Sequence, residues 1–176
     1  IKIGNFLSRH GLIVVPCVNP DGVEISLNGA QNACSYENLV DRIMNYGSTL
    51  PWQANARGVD LNHNFNANWY ELHQLEEKNG IIGPAPTRYG GPAPASEPET
   101  RALVDFCERF SFRHVIAFHS QGEEIYWQYG TKTPPKAERM ALKMAELINF
   151  RLQKDWQLEV GLKIGLLKNL RSQVLL

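Results

Sequence analysis

The sequence predicts an α/β fold in which helices flank a mixed, largely parallel sheet. Short runs of branched apolar residues, typical of buried strands, alternate with segments whose apolar residues recur at helical spacing. The chain has 176 residues, of which 43% are hydrophobic, and this is enough to build one core. Since no internal repeat is visible, we expect a single domain.

In the first half of the chain, LIVVPCV (12–18) predicts a fully buried strand. The following NPDG (19–22) predicts a tight turn, because proline presets its backbone and glycine closes it. EISLNG (24–29) continues as a short strand or a loop. Apolar residues at helical spacing predict a helix over 36–46. From 47 to 98 the composition shifts to glycine, proline, asparagine and aromatic residues, and IIGPAPTRYGGPAPASEP (81–98) predicts a long ordered loop or a linker.

In the second half, SEPE (96–99) predicts a capping box in which Ser96 begins a helix and Glu99 reaches back to it. We expect strands at 113–118 and 124–129 and a helix over about 136–152. The apolar faces of the two helices are expected to contain Ala102, Leu103, Phe106, Cys107 and Phe110 in the first, and Met140, Ala141, Met144, Leu147, Ile148 and Leu152 in the second.

The charge balance excludes some partners. Lysine plus arginine equals aspartate plus glutamate, so the sequence predicts no basic face and no nucleic-acid partner. No apolar run approaches the roughly 20 residues that span a bilayer. The odd number of cysteines, at 17, 34 and 107, predicts buried reduced thiols and favours a reducing compartment.

Two stretches carry side chains suited to chemistry. In AFHSQGEEIYW (117–127), His119 ends an apolar run, where it could bond to backbone or bind a metal ion. In ARGVDLNHNFNANW (56–69), valine, leucine and phenylalanine alternate with polar residues. This pattern fits a rigid frame on which Arg57 and Asn62 recognise a carboxylate or amide, or an asparagine-rich loop that satisfies its own backbone.

The motifs NPDG, GVDLNHNF, SEPET and FHSQGEEIYW, in this order, resemble the zinc metallocarboxypeptidase family, over residues 11 to about 153. WQANARGVDLNHNF followed by HSQGEEIYW is similar to the bacterial branch that hydrolyses γ-D-glutamyl-(L)-meso-diaminopimelate bonds in peptidoglycan peptides. The resemblance implies a carboxypeptidase-like mixed sheet of eight strands flanked by helices, here truncated at both ends.

The resemblance also implies a zinc ion. His119 matches the later of the family's zinc ligands, and the other two, a His-x-x-Glu pair, are expected before Ile1. His10 cannot serve in that pair, because Gly-Leu-Ile follows it. The family's catalytic glutamate is expected beyond Leu176, so no catalytic residue is predicted within this chain, which we expect to be inactive alone.

For the substrate, Asn62 matches the family asparagine that binds a carboxylate, and His63 stands where the carboxypeptidases proper have arginine. Histidine lacks arginine's permanent charge, so recognition of a diamino acid fits better than simple carboxypeptidase action. Arg57 is a third candidate for binding substrate or oxyanion, with Gln53 as its competitor. The remaining candidates are expected to be structural or exposed: His10, His73, His114, Cys17, Cys34 and the pair Glu123 and Glu124.

We therefore expect residues 1–153 to be part of a zinc peptidase domain whose intact parent acts on peptidoglycan peptides, in the cytoplasm or at the cell wall of a bacterium. The alternatives are a non-catalytic peptide-binding remnant and a zinc deacylase of the same fold. Residues 154–176 are unlike the family. One permitted back-translation of residues 161–176, read in another frame, resembles the family sequence, which predicts a frameshift between about Gln153 and Gly161.

Overall fold

A computed structural model describes residues 3–45, 50–110, 112–119, 123–128 and 133–153. The predicted tail at 154–176 lies outside these residues. The helices within them are α1 (Ile3–Leu7), α2 (Pro20–Asn28), α3 (Glu37–Asn45), α4 (Trp69–Lys78), α5 (Pro98–Arg109) and α6 (Lys136–Ile148), with two 3-10 helices at Ala30–Tyr36 and Leu61–His63. The strands are β1 (Glu124–Tyr126) and β2 (Arg151–Gln153).

A βαβ unit confirms the α/β class. Strands β1 and β2 pair in parallel, with Ile125 opposite Leu152, and α6 connects them. Parallel neighbours require such a crossover because their ends lie at opposite edges of the sheet. The apolar face of α6 covers the pair, and the resulting core contains Ile125, Trp127, Ala137 and Ala141, with Met140, Met144, Ala145, Phe150 and Leu152 packed against it.

Helix α2 begins where the sequence predicted a turn. The side-chain oxygen of Asn19 accepts from the amide of Gly22 at 2.9 Å, and Pro20 occupies the first turn, where its missing N–H costs nothing. The side-chain NH₂ group of Asn19 also donates to the backbone carbonyls of Gln53 and Ala54. Gly22 is needed there, since a Cβ would lie 2.4 Å from the Ala54 carbonyl oxygen.

A second apolar core forms around the first three helical segments after Asn19. Helix α3 confirms the helix predicted over 36–46. The segment EISLNG, expected to be a strand or loop, is mostly helical and buries Ile25 completely. The members of this core are Ile25, Ala30, Ala33, Val40, Trp52, Ala54 and Ala56, with Ile43 and Met44 packed against it.

Two predicted strands are wrong within the described residues. Residues 12–18 contain no strand, and Leu12 and Val14 are 67% and 70% exposed. Residues 113–118 likewise contain no strand, and Phe118 is exposed. A strand needs a neighbour for its backbone N–H and C=O groups, and the described residues give pairing only to β1 and β2.

The exposure of two cysteines and the ends of two helices also differ from the predictions. Cys17 and Cys34 are exposed rather than buried, although all three cysteines are free thiols. Helix α4 (Trp69–Lys78) lies in the segment 47–98, where no helix is predicted. Helix α6 ends at Ile148, and Leu147 and Ile148 face solvent. The capping box is wrong, because Glu97 is the N-cap of α5 and makes no side-chain capping bond.

The βαβ core gives a prediction about stability. Ile125 is fully buried, so Ile125→Ala removes apolar contacts and leaves a cavity, and it should lower the free energy of unfolding by about 2–5 kcal/mol. Leu147→Ala is the matched control, since Leu147 is 83% exposed and its loss should change stability by less than about 0.5 kcal/mol. Urea unfolding measures both variants, and equal effects would contradict the described packing.

Tyr126 gives a prediction about alkaline pH. Its hydroxyl donates to Glu124 at 2.7 Å, and this bond, with burial, raises the pKa of Tyr126 to about 12 from its usual 10.0. Since the unfolded chain ionises first, the stabilisation is complete below pH 10 and is lost as pH rises towards 12. Glu124→Gln should move the tyrosinate titration of the folded chain back towards its usual range, whereas Glu146→Gln should not.

Candidate functional site

Residues 55–65, here called the polar loop, contain the candidate substrate-binding residues and lie against residues 87–97, here called the covering segment. Val59, Leu61 and Phe65 are buried, as the alternating pattern predicted. Several polar side chains between them are buried too. Because buried polar groups must be hydrogen-bonded, each contact of these side chains fixes part of the backbone.

Asn55 is the first of these buried side chains. Its oxygen accepts from the amides of Arg57 and Val59, which holds the turn of the polar loop. Its NH₂ group donates to Glu97 at 2.8 Å and more weakly to Glu99. One amide side chain thus connects the polar loop to the start of α5.

Asp60 fixes the middle of the polar loop. One carboxylate oxygen accepts from the amide of Asn62 at 3.0 Å, and the other accepts from the amide of Arg88 at 2.8 Å and the hydroxyl of Thr87. Arg88 has a positive φ of 68°, and its bond to Asp60 compensates part of the cost of that conformation.

Asn64 joins the end of the polar loop to the covering segment. Its NH₂ group donates to the carbonyls of Gly90 and Ala93 and to the hydroxyl of Ser96, and its oxygen accepts from the amide of Glu97. Both polar atoms of this fully buried side chain are therefore used for structure.

His63 is buried and points towards α4. Its Nδ1 atom lies 2.8 Å from Oε1 of Glu76, which is itself 3% exposed. The second oxygen of Glu76 accepts from the amide of Gly90 at 3.1 Å and lies 3.2 Å from Nδ1 of His73. Trp69 stacks on the His73 ring with centroids 4.5 Å apart, which holds that ring in place.

Two predicted binding residues remain accessible on this frame. The Arg57 side chain is 44% exposed, and its Nε lies 3.5 Å from the buried carboxylate of Glu97. Asn62 is half-buried. The competitor Gln53 is exposed, and its side-chain oxygen accepts from the hydroxyl of Thr87 at 2.8 Å.

Two buried carboxylates, those of Glu76 and Glu97, lie near Tyr89 in the covering segment. Burial raises the pKa of Tyr89, and the carboxylates of Glu76 and Glu97 raise it further, while Arg57 lowers it. Both buried carboxylates therefore act on the hydroxyl of Tyr89, and they bind opposite ends of the polar loop. At the Glu76 end there is a cavity of about 70 Å³, lined by His63, Leu72, Leu75, Glu76, Asn79, Ile81 and Arg88.

A protein-family model described as zinc carboxypeptidase matches residues 1–165, nearly the whole chain. The chain belongs to the zinc carboxypeptidase family. The fold class and the order of motifs agree with this assignment. No solved structure matches the chain.

Three relatives of this zinc carboxypeptidase chain illustrate the range of its similarities. Gamma-D-glutamyl-L-diamino acid endopeptidase 1 of Lysinibacillus sphaericus is 34% identical over 151 residues, 85% of this chain and 37% of the relative. Murein peptide amidase A of Escherichia coli K12 is 32% identical over 120 residues, 64% of this chain and 36% of the relative. Human mast cell carboxypeptidase A is 35% identical over 94 residues, 51% of this chain and 21% of the relative. The chain thus spans at most 37% of the length of these relatives.

The description of the family implies a zinc ion, for which the described residues could supply ligands. Among them, no group of three or more histidine, cysteine, aspartate or glutamate side chains is arranged to hold a metal ion. His119 is half-buried, and the Nε2 atom of its ring is buried. Its role as a zinc ligand stays a prediction.

The remaining candidate residues of this zinc carboxypeptidase chain lie at the surface or in structural contacts. His10 and His114 are exposed, and partial burial, with the nearby charges of Lys136 and Arg113, lowers the pKa of His114. Glu124 lies in β1 and forms an ion pair with Arg151 at 3.0 Å. Within the described residues, no helix has the length and apolar character needed to cross a membrane.

The sequence did not reveal the importance of Asn55, Asp60, Glu76 and Glu97. The available signal in the sequence is the set of polar residues between Val59, Leu61 and Phe65. The pattern predicts that these polar side chains project outwards, whereas several of them are buried. The capping-box pattern gives roles to Ser96 and Glu99 and none to Glu97, whose carboxylate accepts from Ser96 and Asn55.

Asn64 gives a stability prediction for the loop. Asn64→Ala leaves the Glu97 amide and the Gly90 and Ala93 carbonyls without this partner, so the free energy of unfolding should fall by about 2–3 kcal/mol. Asn66→Ala, at an exposed position of the adjoining chain, is the matched control and should change it by less than about 0.5 kcal/mol. Chemical denaturation compares them, and a silent Asn64→Ala would exclude the described network.

Proposed function

We propose that this chain is the substrate-recognition part of a zinc-dependent peptidase that hydrolyses γ-D-glutamyl-diaminopimelate amide bonds in peptidoglycan peptides. Arg57, Asn62 and His63 are the proposed substrate-binding residues. The printed names of two relatives, a γ-D-glutamyl-L-diamino acid endopeptidase and a murein peptide amidase, support this substrate class. The activity belongs to the longer protein of which this chain would form a part.

The observation that carries the proposal is the rigid support beneath Arg57 and Asn62. The Arg57 amide is held by Asn55 and its Nε lies near Glu97, while the Asn62 amide is held by Asp60. The supporting side chains are buried, so little conformational freedom remains to be lost on binding. Preorganised groups of this kind bind a substrate at lower entropic cost than flexible ones.

The chemistry of the two side chains fits an acidic peptide. Arginine presents planar N–H groups that pair with a carboxylate, and asparagine can both donate and accept. Glu97 neutralises part of the Arg57 charge, so Arg57 would select the geometry of an anion more than it would attract anions from a distance.

For the metal, we propose His119 as one zinc ligand, with two further ligands supplied by residues outside this chain. The proposed catalytic glutamate also lies outside it. Zinc content of the longer protein before and after His119→Ala tests the ligand role, and unchanged stoichiometric zinc would contradict it.

The activity test uses the longer gene product and a γ-D-glutamyl-meso-diaminopimelate peptide. Asn62→Ala should lower kcat/KM about 10- to 100-fold, because a hydrogen bond to a charged group contributes about 1.5–3 kcal/mol. Arg57→Gln should lower it to a similar extent, whereas Arg42→Gln, at an exposed position of α3, should leave it unchanged. Product analysis by chromatography follows the reaction.

Other outcomes of this assay would contradict the proposal in different ways. Hydrolysis restricted to small acylated amino acids would indicate a deacylase of the same fold. Binding of the peptide without hydrolysis, by a longer protein loaded with zinc, would indicate a peptide-binding protein. The nucleotide sequence around codons 153–161 tests the proposed frameshift independently, since codons incompatible with the other frame exclude it.

A further inference from the structure

The buried carboxylate of Glu76 determines which nitrogen of His63 carries a proton. Oε1 of Glu76 lies 2.8 Å from Nδ1 of His63, and both side chains are less than 10% exposed, at 3% and 8%. A carboxylate only accepts hydrogen bonds, whereas a ring nitrogen donates only when it is protonated. An ionised Glu76 therefore places the proton on Nδ1 of His63.

The rest of the Glu76 environment keeps its carboxylate in place. Oε2 accepts from the amide of Gly90, so rotation of the carboxylate would break a bond to buried backbone. Nδ1 of His73 lies 3.2 Å from the same oxygen, and Trp69 stacks on the His73 ring. The orientation of the His63 ring thus depends on α4 and on the covering segment, and not on the polar loop alone.

With Nδ1 engaged, Nε2 is the remaining polar atom of the His63 ring. In the neutral ring this atom is a hydrogen-bond acceptor. Arginine, which the resemblance places at this position in the carboxypeptidases proper, offers only donors. His63 also lines the cavity of about 70 Å³ beside α4, so the residue is reachable by small groups, although its side chain is mostly buried.

We infer that Glu76 is a positioning residue that fixes His63 with its proton on Nδ1, so that Nε2 accepts from an N–H group of the substrate where arginine would bind a carboxylate. The recognition half of this inference rests on the proposed function, and it assigns His63 to the second amino group of the diamino acid. That amino group is the N–H donor that distinguishes this substrate class from ordinary acidic peptides. The tautomer half concerns this chain alone and needs no activity.

The tautomer is read by long-range ¹H–¹⁵N NMR of the unmodified chain at pH 8, above the usual histidine pKa of about 6.5. The inference predicts a pyrrole-type shift for Nδ1 of His63 and a pyridine-type shift for Nε2. The reverse assignment, or a ring protonated on both nitrogens at this pH, would overturn it. This measurement needs no variant, so it does not depend on whether any substitution folds.

Glu76→Gln then tests the cause. A glutamine amide has one accepting oxygen, which the Gly90 amide retains, so its NH₂ group faces Nδ1 of His63 and the ring proton should move to Nε2. Glu77→Gln is the matched control, because Glu77 is adjacent, 57% exposed and 3.7 Å from Nε2 of His73. Its spectrum should keep the original tautomer. An unchanged His63 tautomer in folded Glu76→Gln would refute the positioning role.

Recognition is tested in the longer protein with two peptides, γ-D-glutamyl-meso-diaminopimelate and its analogue without the distal amino group. We expect the analogue to have a KM at least about tenfold higher, because it lacks the amino group that donates a charge-assisted hydrogen bond to Nε2 of His63. Glu76→Gln should abolish this ratio while kcat changes less than about threefold. A ratio that survives Glu76→Gln, or is absent from the unmodified protein, would contradict the inference. Failure to hydrolyse either peptide would instead contradict the proposed function.

Discussion

The polar loop depends on the hydrogen bonding of buried backbone that belongs to no helix or sheet. Backbone N–H groups in an irregular segment must find other acceptors when water is excluded. Here buried side chains provide them, and their bonds connect the loop to the covering segment and to the helices on either side. The amides satisfied in this way are those of Arg57, Val59, Asn62, Arg88, Gly90 and Glu97.

This constraint divides these polar residues of the loop into two groups. The polar side-chain atoms of Asn55, Asp60 and Asn64 are bonded to backbone or to other side chains, so these residues stabilise the loop. Asn62 and Arg57 keep accessible surface and stand on backbone that the first group holds. The two interpretations of the sequence, a recognition frame and a loop that satisfies its own backbone, therefore apply to different residues of one segment.

The parts of the fold that could be predicted are those determined by local pattern. Helices α3, α5 and α6 were identified because their apolar residues recur at helical spacing over several turns. The strand predicted at 12–18 failed for the opposite reason. A strand is stabilised by a partner elsewhere in the chain, and the apolar run alone does not provide one.

The site could be predicted only in part for the same reason. Val59, Leu61 and Phe65 follow a local alternation, and their burial was predicted correctly. His63 and Glu76 are 13 residues apart, and Asn55 and Glu97 are 42 apart. Contacts over such distances in the chain depend on how separate segments pack, and neither residue type nor spacing indicates them. The SEPE pattern indicates nothing about Glu97, whose partners include the distant Asn55.

Native-state hydrogen exchange of this chain tests the central claim most directly. The amides of Arg57, Val59, Asn62 and Glu97 should exchange as slowly as those in the middle of α5, because opening them requires the loss of buried side-chain contacts. The amide of exposed Asn66 provides a reference for an unprotected position in the adjoining chain. If the four amides exchange as fast as that reference, the buried side chains do not hold the polar loop, and the account is wrong.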